Sequence, residues 1–249
     1  MSSASAETAR LARLIARGAL KGALATNRRA ARPDAKHGFG AQPYVSKVGV
    51  ATDLSGAPLF LFSTLAAHTQ DLLADPRAAL LLEAPTTTAN PLEGARCTLV
   101  GRVEQLVGVE SDAARALYLT RHPGASLYAG FGDFSLWRLH IEKVHYVGGF
   151  GRAKWAKSGE YLCAADGLAD AQARIVAALN GAKRNDLQAV FAHHTGRSGR
   201  GQTVLGLDAD GLIVVGGKGV QTRIDFSSPA RDVRGWQARF RSLVKKTRA

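Results

Sequence analysis

Two long stretches in which side chains alternate by character set the main limit on the fold. In residues 96–107, Cys97, Leu99, Gly101 and Val103 fall on one face, with Thr98, Val100, Arg102 and Glu104 on the other. In residues 136–147, Trp137, Leu139 and Ile141 alternate with Arg138, His140 and Glu142. A period of two is the mark of a strand with one face against a core. Further strand-type runs lie at Gly22–Thr26, Gln42–Thr52, Pro58–Ser63 and Ala78–Glu83. Ser55-Gly56 is a turn that predicts a hairpin between the second and third of these.

Helices before residue 150 are few and short. Residues 8–18 predict an amphipathic helix with Leu11, Leu14 and Ile15 on one face and the arginines opposite. Thr69–Ala74 predicts a second, stopped by Asp75-Pro76, and Ser111 and Asp112 are expected to cap a third that ends at His122-Pro123-Gly124. With no regular alternation of strand and helix, the pattern points to a closed barrel and away from a doubly wound sheet.

Beyond a Lys/Gly/Ser-containing stretch at residues 154–160 the pattern changes. Helices are expected at 167–180 and 185–193. A hairpin at 203–224 should turn at Asp208-Ala209-Asp210-Gly211. A last helix carries Val233, Trp236, Phe240 and Leu243 on its apolar face. The expected organisation is α+β: an N-terminal β-barrel over residues 8–155, then a small α/β domain over 165–247 with helices packed on a hairpin or short antiparallel sheet. Charge follows this division. Residues 1–150 hold 16 Lys/Arg against 12 Asp/Glu, and residues 151–249 hold 17 against 8, which gives the total of +13. The basic final helix, with Arg231, Arg234, Arg239, Arg241, Lys245, Lys246 and Arg248, suits a nucleic acid or an acidic protein surface as partner.

Several function classes fall away. No apolar run is long enough to span a bilayer. The basic, Ala/Ser-rich N-terminus is transit-like, but cleavage there would remove patterned structure, so a cytoplasmic protein is expected. Cys97 and Cys163 lack metal spacing and are expected as two reduced thiols. The glycine clusters at 148–151 and 216–219 lack the G-x-G-x-x-G spacing. Adjacent His193 and His194 diverge by about 100° on a helix and do not chelate one metal, so no metal site is expected. No nucleophile–base pair or carboxylate pair appears; catalytic residues are unassigned, and any enzymatic activity would run through a cofactor.

Four stretches occur together in order: Pro43-Tyr44-Val45; Leu65-Ala66-Ala67-His68-Thr69 leading to Ala74-Asp75-Pro76-Arg77-Ala78; Arg121-His122-Pro123 with Gly130-Phe131-Gly132-Asp133-Phe134; and Val147-Gly148-Gly149-Phe150-Gly151-Arg152-Ala153. Over roughly residues 8–155 the chain thereby resembles the HugZ-type haem-utilisation proteins, relatives of the pyridoxamine 5'-phosphate oxidase-like FMN-binding split barrels. The resemblance implies a split β-barrel, a homodimer with flavin sites at the subunit interface, and an FMN-dependent oxidoreductase, with haem binding as the alternative. It places the cofactor among Tyr44, Ser46, Lys47, Ser63, Thr64, His68, Thr69 and Arg152. Hydroxyls, helix N-terminal amides and a cation together suit a phosphate dianion.

The chain departs from the pattern at points that bear on this site. Ala67 and His68 stand where the oxidases carry Arg and Lys, and Gln70-Asp71 stands where an Arg-Asn pair is expected. Asp71 would weaken phosphate binding unless it points away. Lys47, or the basic loop from Arg28 to Lys36, is the expected substitute for the missing charge. No histidine follows His194, and Leu179-Asn180-Gly181-Ala182-Lys183 keeps only the Asn of the family's Met-Asn-x-Asp-His motif. The fold is therefore expected without the haem-degrading route of that family.

Overall fold

A computed structural model describes residues 3–28, 42–86, 89–149, 152–198, 200–216 and 219–248. Most of the basic loop, the Phe150-Gly151 step and the Gly217-Lys218 step lie outside the described residues. The chain divides into two compact units, Met1–Leu162 and Cys163–Ala249.

The first unit is an antiparallel split barrel. Its strands are β1 (Lys21–Asn27), β2 (Pro43–Gly49), β3 (Ala51–Thr52), β4 (Pro58–Ser63), β5 (Arg77–Glu83), β6 (Arg96–Gln105), β7 (Phe134–Val147) and β8 (Ala153–Lys157). Their order is β2-β1-β5-β6-β7-β4-β3, with β8 also on β7. The fourteen-residue β7 holds the two halves together: Phe134–Arg138 pairs with β4, and Lys143–Val147 pairs with β8. Its other edge runs along β6 with a register shift at Val100/Gly101. The shift changes which parity faces inward, so Leu139 and Ile141 are buried before it and Val144 after it. Gly101 is obligatory there, because a β-carbon would lie 1.9 Å from the His140 carbonyl oxygen.

The expected hairpin forms only in part. Ala51 and Thr52 pair with Leu59 and Pro58, whereas β2 leaves β4 and pairs along its whole length with β1. The chain bends at Val50, whose side chain is fully buried and whose N–H donates to Leu20 O at 3.0 Å. One segment thus occupies both ends of the sheet order, and this bend closes the barrel.

Helix α1 (Ser3–Gly18) also differs from expectation. Ile15 is buried as expected, but Leu11 and Leu14 are only partly covered; the rest of the buried face is Thr8, Ala9, Ala12 and Ala16 together with Arg13 and Arg17, which are 2% and 1% exposed. The small alanines let the helix sit close to the sheet, and a backbone carbonyl accepts from each guanidinium group. Arg13 donates to the Tyr161 carbonyl, and Arg17 Nη2 donates to Leu54 O at 3.0 Å. Residues 154–160 are structured too: β8 is followed by the short helix α4 (Ser158–Tyr161), and Tyr161 is fully buried.

Helix α2 (Ala67–Ala74) stops at Asp75, held extended (φ −141°) by the following proline. Helix α3 (Gly108–Arg121) starts earlier than Ser111. Gly108 adopts φ 56°, so the chain enters the helix straight from β6 without a side-chain cap.

In the second unit, α5 (Leu168–Asn180), α6 (Arg184–Thr195) and α7 (Val233–Lys246) pack on a three-stranded antiparallel sheet. Its strands β9 (Thr203–Asp208), β10 (Gly211–Val215) and β11 (Gln221–Asp225) run in the order β11-β10-β9. Leu168, Ile175, Phe191, Leu212, Trp236 and Phe240 share its core. Arg223 on β11 is largely buried and donates to both carboxylate oxygens of Asp208, at 2.6 and 2.9 Å, and to Asp225 at 2.5 Å. Asp232 caps α7 by accepting from Gly235 N–H at 2.6 Å.

Candidate functional site

The first unit contains a cavity of about 580 Å³ bounded by β1, β2, β4, α2 and α3. Register sets its cationic wall. Lys21 lies opposite Gly49 and Ala23 opposite Lys47, so the two lysines share one face of the β1–β2 ribbon, and both line the cavity.

The far wall comes from α3. Tyr118 and His122 are one turn apart and their rings lie 4.6 Å centre to centre. The helix approaches β2 closely because Gly49 has no side chain: a β-carbon there would lie 2.4 Å from Tyr118 Oη. Burial, followed by the nearby Tyr128, pushes the Tyr118 phenol up to about 12. His122 Nε2 lies 2.9 Å from Val50 O. A carbonyl only accepts, so Nε2 carries the proton and Nδ1 is the lone-pair nitrogen in the neutral ring. Burial lowers the pKa of His122; the Val50 hydrogen bond opposes this, and neighbouring Arg121 adds to it.

His68 stands near the start of α2 with its ring edge-on to Phe62 at 4.5 Å. Burial lowers its pKa, opposed by the charge of Asp71. Asp71 itself points away from the cavity: its Oδ2 accepts from the buried Thr26 Oγ1 at 3.0 Å. The carboxylate feared as a phosphate repellent is therefore turned toward β1. No side chain caps the first turn of α2; Thr69 and Gln70 N–H donate to Ala66 O at 3.1 and 3.2 Å, so the amides left open there are those of Ala67 and His68.

The other expected residues divide by position. Ser63 lines the cavity, but its hydroxyl donates to Asp133 Oδ2 at 2.6 Å and accepts from Leu65 N–H at 3.1 Å. Thr64 is exposed in the adjoining turn, where its N–H donates to Asp133 O at 2.8 Å. Thr69 is fully buried, and its Oγ1 has no hydrogen-bond partner. Tyr44 and Ser46 lie on β2 outside the lining. Tyr44 carries the Arg28 guanidinium 4.9 Å over its ring, and Ser46 pairs with Leu24. Arg152 is exposed in the β7–β8 turn, past Val147, while the cavity touches Phe134 at the opposite end of β7. Thirteen residues of extended strand separate those ends by roughly 40 Å, so one chain does not bring Arg152 to the cavity.

Lys21, Tyr118, His122, Tyr128 and Phe134 also line the cavity without having been singled out as ligands. The spacing Tyr118-x-x-x-His122 was the available signal for two of them. The donor set fits an anionic group carried on a flat, apolar body: two lysines and uncapped helix amides on one side, and aromatic rings on the other.

Known proteins agree with this architecture. Over 198 residues the chain is 30% identical to a chloroplastic haem oxygenase of Arabidopsis thaliana, HOZ, a match that takes in 76% of this chain and 60% of that protein. The chain thus spans less than two thirds of that relative. A haem-binding protein from Mycobacterium smegmatis superposes with a TM-score of 0.57 at 29% identity, over 100% of this chain and 99% of the other. A protein of unknown function from Agrobacterium tumefaciens gives a TM-score of 0.72 at 24% identity, covering 96% and 94%, and speaks for the fold alone. Residues 3–163 match the CREG β-barrel family, and the chain belongs to that family of split barrels, related to the pyridoxamine 5'-phosphate oxidases and to haem-utilisation proteins.

Proposed function

We propose that this protein is a haem-handling split barrel and that the cavity beside α2 is where the haem is held. The observation that carries this reading is His68. Its imidazole is half-buried, favours the neutral form, makes no hydrogen bond among the described residues, and shares its cavity with Lys21 and Lys47. A neutral imidazole is a good iron ligand, and paired lysines suit propionates. Bound haem would supply redox chemistry. The chain would supply the ligand, the counter-charges and aromatic walls that exclude water. The names of the Arabidopsis and Mycobacterium relatives support the same reading.

A second reading, an FMN-dependent oxidoreductase, is favoured by the phosphate-ready start of α2. Its amides are uncapped, Lys47 is near, Asp71 is turned away, and the Thr69 hydroxyl is buried without a partner. In that case flavin would carry the electron chemistry and the chain its binding and electrostatics. Exposed Leu65, Leu127 and Phe131 support a homodimer in either case. On this reading the first unit is the cofactor domain and the second a small basic companion. Cys97 and Cys163 form no disulfide with each other, which supports a reducing compartment such as the cytoplasm.

An absorbance spectrum of the purified protein from about 300 to 700 nm, followed by haemin titration, tests both readings. A Soret band whose affinity falls about tenfold or more in His68→Ala supports haem at this site. Failure to bind haem at about micromolar concentration overturns it. A flavin spectrum with stoichiometric FMN release selects the second reading.

A further inference from the structure

The second unit contains a separate cavity of about 220 Å³ between α5 and α7. Both helices offer it the same pattern. Ile175 and Leu179 on α5 and Trp236 and Phe240 on α7 form an apolar floor, with the Trp236 and Phe240 rings nearly parallel 5.8 Å apart. One position earlier on α5 and one later on α7, Arg174 and Arg241 stand at the rim, joined by Lys183 from the turn after α5. Ala178 keeps the space open, since any larger side chain one turn past Arg174 would fill it.

No carboxylate lines this cavity among the described residues, and none of its three cations belongs to an ion pair found among them. Asp170, one turn before Arg174, forms none with it. The three cations are solvent-exposed at the rim of an apolar floor, an arrangement complementary to an anion whose apolar part covers that floor. The volume lies below the roughly 300–1,000 Å³ of pockets for drug-sized molecules, which limits the apolar part to one fused ring or a short chain.

We propose that the α5–α7 cavity binds a small amphiphilic anion, a carboxylate borne on an aromatic or short aliphatic body. The carboxylate sits between Arg174 and Arg241, and the body lies on Trp236 and Phe240. The site is distinct from the one beside α2 and does not depend on haem or flavin binding there.

The test uses the full chain with 1-naphthoate as probe and 1-naphthamide as its neutral counterpart. Binding is followed by NMR of the Trp236 indole N–H and by calorimetry. The expected result is saturable binding of the carboxylate that shifts the Trp236 signal. Affinity should weaken about tenfold or more for the amide and for the Arg174→Glu/Arg241→Glu double variant. Ala178→Leu, which fills the space with a good helix former, should abolish binding while leaving the melting temperature and haemin titration unchanged. Absence of saturable binding, equal affinity for the amide, or undiminished binding by a folded Ala178→Leu variant overturns the proposal.

Discussion

Replacing Gly49 with alanine should have opposite effects on stability in two backgrounds that differ by one oxygen atom. Gly49 is a strand residue without a left-handed φ, so alanine is conformationally acceptable and should gain about 0.5 kcal/mol from reduced chain entropy. Its β-carbon, however, would lie 2.4 Å from Tyr118 Oη, about 1 Å inside ordinary contact, while Tyr118 Cζ stands at 3.6 Å. Tyr118 is buried on α3 with the His122 ring 4.6 Å away, and moving its ring toward the cavity would disturb both its burial and that contact, so overpacking of about 1–3 kcal/mol should outweigh the entropic gain. The net expectation for Gly49→Ala is a loss of about 1–2 kcal/mol. In the Tyr118→Phe background the clashing oxygen is gone and the nearest ring atom is at normal distance, so the same substitution should stabilise by about 0.5 kcal/mol. The double-mutant coupling is then about 2 kcal/mol, within the range seen for touching residues. Urea titrations read by hydrogen exchange of peptides spanning β2–β4 would separate the first unit from the second. Equal destabilisation by Gly49→Ala in both backgrounds would refute the claim that the close approach of α3 to β2 depends on the missing side chain.

Three further outcomes follow from the same structure. Burial raises the Cys97 thiol to about 12 and leaves it 1% exposed, whereas Cys163 is only partly covered; an aromatic disulfide reagent should therefore titrate one thiol in the native chain and two in denaturant, and two fast native thiols would contradict the packing. His68 and His122 both have folded pKa values depressed by burial below the ordinary 6.5, so the unfolded chain takes up protons first; their stabilisation should be complete above about pH 6.5 and fade as the pH falls through the folded values, and a melting temperature that stays flat in His68→Gln/His122→Gln as well as wild type would refute it. Arg223→Met leaves Asp208 and Asp225 facing each other without their shared cation, and should cost the second unit about 3–5 kcal/mol by calorimetry; a loss under about 1 kcal/mol would show that the aspartates find other partners.

The strands were readable where one face meets a core and the other meets solvent, which is why β6 and β7 stood out. The same logic failed at Gln42–Thr52, because strand propensity does not say which neighbour a strand pairs with. The bend at Val50 sends most of that segment to β1. Helix α1 misled for a different reason. Arginine is read as an outward residue, yet Arg13 and Arg17 are buried, since each guanidinium reaches a backbone carbonyl of a distant segment. Three of the residues expected of a cofactor site, Lys47, Ser63 and His68, line the cavity: Ser63 from the family's phosphate-binding stretch, His68 as a departure from it and Lys47 as a substitute for its missing charge. Lys21, Tyr118 and His122 required knowledge of the β1–β2 register and of the docking of α3, both non-local. The direction of Asp71 likewise depended on Thr26, 45 positions away in the chain.

The contact between Arg13 and the Tyr161 carbonyl joins groups 148 positions apart. Helix α1 gains this contact only when almost the whole first unit has been synthesised, whereas its Arg17 bond to Leu54 O spans 37 positions. Loop-closure entropy grows slowly with length, so the final fold bears little penalty, but contacts of such span form slowly. The seat of α1 against residues 153–161 is therefore completed only late in the translation of the first unit, and the nascent chain before that point is the form more exposed to chaperones and proteases.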